Sequence, residues 1–148
     1  MSARSVVMGR DGRAKAYRPL PETDRAAALA AGIEAYEHGD FFEAHELLEP
    51  AWMGTDVAAD RALLQGVIKL AAAYVHAVRG NPRGIARNLE GARARLIEAD
   101  DERVATGLPV PWLDIPRLVS GIDLRLADLA AHPDEPTLGP PELPRSAP

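Results

Sequence analysis

The chain predicts an all-α fold, a compact bundle of about five helices arranged as two antiparallel helical hairpins plus a C-terminal helix. Three observations carry this. Apolar residues recur at three- and four-residue spacing in successive segments, and Gly, Pro and Asp or Asn punctuate the gaps between them. A weak internal repeat at an offset of 41 pairs Gly39-Asp40 with Gly80-Asn81, and Leu48, Glu49 and Ala51 with Leu89, Glu90 and Ala92. Each unit reads as helix, short turn, helix, weakly tetratricopeptide-like, and two units are too few for a solenoid.

Taken in order, residues 1–21 form a basic arm, with Arg4, Arg10, Arg13, Lys15 and Arg18 against Asp11, ending in Pro19-Leu20-Pro21. We expect a disordered, solvated segment there, with a small anion-binding arm as the other reading. The domain proper spans 22–132. Thr23 or Asp24 caps a first helix whose apolar residues include Leu29, Ile33 and Tyr36, and Gly39 stops it. Asp40 caps a second helix, where Pro50 predicts a kink near Glu46 or a stop soon after Trp52. The third helix, Asp60 to Arg79, is apolar on nearly all sides and should be central; its narrow polar stripe is Gln65, Lys69 and His76. Gly80-Asn81-Pro82 opens a fourth helix reaching about Ala99, and after a Pro-rich linker Asp114 caps a fifth, with Leu118, Val119, Ile122, Leu126 and Leu129 as its core stripe. Residues 133–148 are mostly Pro, Gly and charge, and are expected to be disordered.

At 148 residues, one domain can bury a core without staples. The absence of cysteine removes disulfides, thiolate metal sites and cysteine nucleophiles, and points to a cytoplasmic setting. A net charge of −5 argues against general nucleic-acid binding, and no apolar run is long enough to span a membrane. There is no Gly-rich phosphate loop and no Gly-x-Ser-x-Gly elbow.

The chemistry concentrates in Phe41-Phe42-Glu43-Ala44-His45-Glu46-Leu47-Leu48-Glu49-Pro50-Ala51-Trp52. At 100° per residue, Phe41, Ala44, Leu48, Ala51 and Trp52 share one side, while His45 and Glu49 project between Trp52 and a second apolar pair, Phe42 and Met53. An imidazole and one or two carboxylates one turn apart can bind a divalent metal, act as acid and base, or form a hydrogen-bonded pair that only fixes helix register. In the zinc pattern His-Glu-x-x-His, Glu49 stands in place of the second imidazole, so a metal on His45 and Glu49 needs a third ligand from His76, Glu34, Glu37 or His38. Gln65, Lys69 and His76 either edge the solvent or face His45 and Glu49 to close one polar chamber. Leu64, Ile68 and Val75 lie away from the main stripe of the third helix and leave room for a homodimer.

The segment Phe41 to Glu49 with Trp52, followed by Leu64-Gln65-Gly66-Val67-Ile68-Lys69-Leu70-Ala71, His76, Gly80-Asn81 and Gly84, resembles the domain-of-unknown-function 309 family of small bacterial and archaeal proteins, over roughly residues 24–99. The resemblance implies an all-helical fold and places His45, Glu46, Glu49, Trp52 and Gln65 in the family pattern; it implies no activity. Lys69, where a neutral glutamine would be expected, and Pro50 depart from that pattern. The expected function is a binding or interaction module for a small molecule or protein, built on His45, Glu46, Glu49, Trp52, Gln65, Lys69 and His76. The alternative is a metal-dependent hydrolase with His45 and Glu49 as ligands to a divalent metal and Glu46 as base.

Overall fold

The computed structural model describes residues 6–8, 14–16 and 19–147, with side-chain environments from residue 19 onward. Five helices form: α1 (Glu22–Glu37), α2 (Phe41–Met53), α3 (Ala58–Val78), α4 (Pro82–Thr106) and α5 (Ile115–Ala131). Before them, β1 (Val6–Met8) and β2 (Ala14–Ala16) pair as a short antiparallel ribbon with Val7 opposite Lys15. The arginines of the basic arm, Arg4, Arg10, Arg13 and Arg18, lie outside the described residues. Among the described residues, no helix is long and apolar enough to cross a membrane.

The internal repeat is legible in the backbone. Gly39 and Gly80 both adopt the left-handed conformation, with φ of 83° and 67°. In each turn the residue after the glycine reaches back five positions: the Asp40 amide donates to the Ala35 carbonyl at 2.8 Å, and the Asn81 amide to the His76 carbonyl at 2.9 Å. These are paired Schellman closures, and a side chain with Cβ would be strained at either glycine. The caps that follow diverge: the Asn81 side chain accepts from the Gly84 amide, whereas Asp40 makes no side-chain cap bond. Pro50 neither breaks nor ends α2 at its own position. The helix runs on to Met53 and stops at Gly54, whose amide bonds the Pro50 carbonyl.

α3 packs most extensively on α4 and also on α2, α1 closes on α2, and α5 lies on α4. Leu48, Val67, Leu70, Leu89 and Leu96 are fully buried along this seam. A smaller cluster of Ala51, Trp52 and Leu64 is covered by Ala28, Leu29, Met53 and Ile68 from α1, α2 and α3. This corrects one expectation: Leu64 and Ile68 do not form a free face for a second copy, because α1 and α2 already cover them. At the opposite end of α2, Tyr36, Phe41 and Tyr74 stack in series, with ring centroids 5.4 and 5.6 Å apart.

The larger correction concerns residues 133–147, whose Pro, Gly and charge content reads as disorder. The segment is laid along the bundle in an extended conformation. Asp128, near the end of α5, accepts from the Thr137 amide at 2.8 Å, the Thr137 hydroxyl at 2.5 Å and the Leu138 amide at 2.9 Å. These bonds, that from the Thr137 hydroxyl foremost and then that from the Leu138 amide, hold the Asp128 carboxyl below the usual carboxylate range. Farther on, Arg125 Nε donates to the Gly139 carbonyl at 3.0 Å and the Tyr36 hydroxyl to the Pro141 carbonyl at 2.7 Å. The Asp114 amide bonds Pro144 O at 2.9 Å and the Ser146 amide bonds Trp112 O at 2.8 Å, so Leu113 and Arg145 form a bridge. Pro141 and Leu143 are buried. Composition missed this because a proline-set backbone needs little further ordering and few apolar anchors once side-chain donors meet its carbonyls.

Candidate functional site

The residues singled out in the sequence occupy one flank of α2 and the adjoining side of α3, but they do not close a chamber. The buried side of α2 carries Ala44, Leu48, Ala51 and Trp52, as its periodicity predicts. His45 and Glu49 fall at the margin of that face and are half-buried, while Phe42, Glu43, Glu46 and Pro50 are exposed. His45 pairs with its sequence neighbour Glu46, Nδ1 to Oε1 3.5 Å, rather than with Glu49 one turn on. That separation is long for a hydrogen bond and gives an electrostatic pair when the imidazole is protonated.

The polar stripe of α3 splits. Gln65 is half-buried, and Lys69 is buried and engaged. His76 serves the α3–α4 turn instead: its Nδ1 lies 3.2 Å from Asn81 Nδ2 and its ring sits directly over Gly84. Two further ligand candidates are used by other groups. His38 Nδ1 bonds the carbonyl of Glu34 at 2.8 Å, and Glu37 pairs with Arg145 at 2.7 Å. Among the described residues, no three of His, Cys, Asp and Glu are grouped so as to hold a metal ion.

Around Trp52 the structure adds a residue that sequence reasoning missed. The Arg61 guanidinium stacks over the Trp52 ring at 4.6 Å and donates to the carbonyls of Trp52 at 3.1 Å and Thr55 at 2.7 Å. It fastens the end of α2 to the start of α3 and covers the indole, so Trp52 belongs to the packing rather than to an open pocket. The signal was present as an isolated arginine at the head of an apolar helix.

The half-exposed setting of His45 makes a definite prediction. A buried His–Glu pair would lose about 1–3 kcal/mol when either partner is removed; a surface pair is worth ~0–1 kcal/mol. His45→Ala should therefore lower stability by less than about 1 kcal/mol in urea unfolding. A loss of several kcal/mol would show that the imidazole is part of the core.

Open space lies elsewhere on α2. A groove of about 420 Å³ runs between its N-terminus and the C-terminal end of α3, lined by Asp40, Phe41, Phe42, Glu43, Val75, Val78 and Arg79 among others. Phe42 and Val78 on its walls are 63% and 79% exposed, unusually open for large apolar residues in adjacent positions. A second cleft, about 580 Å³, opens beside the C-terminal segment between Tyr36, Glu37, Gly39 and Phe41 on one side and Pro140 to Leu143 with Arg145 on the other.

Residues 29–88 match the family described as a domain of unknown function (DUF309). No curated protein and no solved structure matches the chain. The matched stretch begins in α1 and ends in α4, so it takes in both glycine turns, all of α2 and all of α3. Over that segment, less than half of its length, the chain is similar to the DUF309 family.

Proposed function

We propose that this protein is an interaction module that uses the outward flank of α2 to bind a basic, apolar-anchored segment of a protein partner. The observation behind this reading is the company Phe42 keeps. An aromatic ring that is mostly in solvent borders a groove with Val75 and Val78, Asp40 and Glu43 line the same groove, and Glu46 is exposed one turn along α2 from Phe42. Apolar contact supplies affinity in such an arrangement, and the carboxylates select for positive charge and speed encounter.

The test is in-cell photo-crosslinking from a photoreactive phenylalanine at position 42, with a control at Ala94, which is exposed on α4. A discrete adduct from position 42, absent from position 94 and abolished by Glu43→Lys with Glu46→Lys, is the expected result. An adduct indifferent to those charge reversals, or none at all, would sink the reading. The hydrolytic alternative requires three donors grouped around a metal, and among the described residues no three of His, Cys, Asp and Glu are so grouped.

A further inference from the structure

The C-terminal segment occupies its groove incompletely. Beneath residues 136–140 lies an apolar cavity of about 110 Å³, bounded by Tyr74, Ile85, Leu89 and Leu129 on the helical side and by Leu138 and Gly139 above. The Tyr74 hydroxyl is buried at its edge, beside Arg125. A Cβ placed on Gly139 would meet nothing within 4 Å. Cavities on the order of 150 Å³ hold molecules as large as benzene, so this one has room for an aliphatic side chain. The tail thus satisfies the polar rim, through Asp128, Arg125, Tyr36 and Glu37, while leaving unfilled space in the middle of its own binding groove.

The recognition chemistry is that used for proline-rich peptides. Carbonyls of the Gly-Pro-Pro-Glu-Leu-Pro stretch, residues 139–144, accept from a tyrosine hydroxyl, an arginine and a backbone amide, one leucine is buried, and the Arg145 guanidinium lies over Trp112 at 5.3 Å. We propose that this groove is a binding site for an extended proline-rich partner segment, and that the chain's own residues 136–146 hold it closed in cis. The partner pattern follows from the tail: Pro-Pro-x-Leu-Pro-Arg, preceded by an aliphatic side chain where the tail has Gly139. This site is separate from the α2 flank, so either proposal can fail alone.

Occupation in cis raises the apparent dissociation constant of any competitor by the reciprocal of the fraction of time the groove is open. The probes are two fluorescein-labelled peptides: one with the sequence of residues 134–147, the other identical but for Gly139→Leu. The protein is the full chain, either as it stands or with Leu143→Asp, which weakens only the tail's own anchor. Anisotropy should show at least about tenfold tighter binding to the Leu143→Asp protein than to the unaltered chain. The Gly139→Leu peptide should be the tighter of the two. Glu37→Arg in the Leu143→Asp background should weaken binding, and a peptide carrying Arg145→Glu should restore it. No binding to a folded Leu143→Asp protein would overturn the proposal. If that variant does not fold, hydrogen exchange on the unaltered chain decides: Thr137, Leu138 and Ser146 amides exchanging well before that of Leu70 support a tail that opens by itself, and exchange only with global unfolding overturns it.

Discussion

Gly32→Ala should change the sign of its effect according to what stands at position 48. In the native chain, a Cβ at Gly32 would lie 2.5 Å from both Cγ and Cδ2 of Leu48, which is fully buried where α1 closes on α2. That contact involves a branched carbon in a packed seam, so the helices must separate, at a cost of about 1–3 kcal/mol. Leu48→Ala leaves a cavity instead and should cost ~2–5 kcal/mol. In the Leu48→Ala background the new methyl enters the space just vacated, and alanine is favoured over glycine within a helix by about 1 kcal/mol. Gly32→Ala should then be stabilising. The double-mutant cycle, measured by urea unfolding, should give a coupling energy of about 2–4 kcal/mol, the difference between the two Gly32→Ala effects; additive effects would mean that α1 and α2 do not meet at these two residues.

Alkaline pH should unfold the protein through its two buried phenols. Tyr36 and Tyr74 face each other across Phe41, and both hydroxyls are removed from water. Burial, joined by the neighbouring Tyr74, pushes the Tyr36 phenol well above its ordinary value. Burial pushes Tyr74 up to about 12. Both groups bind their protons more tightly in the folded state, so their contribution is fully present below pH 10 and is lost as pH climbs from 10 towards the folded-state values. With each phenol contributing about 1.4 kcal/mol per pH unit once the unfolded chain is ionised, the loss between pH 10 and 12 should be about 4 kcal/mol. Urea unfolding across that range, with Tyr36→Phe/Tyr74→Phe as the reference, should show the double variant lacking this component. Parallel profiles would mean that the two phenols are solvated.

The helices were readable because their signals are local. Asp114 caps α5 by accepting from the Arg117 amide, as its position before an apolar stripe suggests, and Gly39 and Gly80 stop helices where the repeat puts them. α4 ran past the expected end near Ala99 to Thr106, since the residues beyond are charged but still good helix formers and Gly107, in the left-handed conformation, is the real stop. For His45 and Glu49 the angle around α2 was legible, but not the depth. Periodicity gives an angle around a helix, and His45 and Glu49 lie near enough to Trp52 in angle to read as core, yet whether they are covered depends on how α1 and α3 approach. His76 was misassigned for the same reason: it shares a line with Gln65 and Lys69, but the turn to α4 claims it through Asn81 and Gly84. The C-terminal segment was least legible. Its anchors, Pro141, Leu143 and Arg145, follow no period, and their partners Tyr36, Glu37 and Trp112 are distant in sequence.

The placement of the two tryptophans gives the protein a built-in pair of optical reporters. Trp52 is packed between α1 and α3 beneath Arg61, while Trp112 is half-buried where Arg145 stacks on it and Ser146 bonds its carbonyl. Emission from Trp52 should respond to the cohesion of the helices, and emission from Trp112 to release of the proline-rich segment. Trp52→Phe and Trp112→Phe would separate the two signals, so departure of the tail and melting of the bundle could be followed as distinct spectral events in one titration, without any attached label.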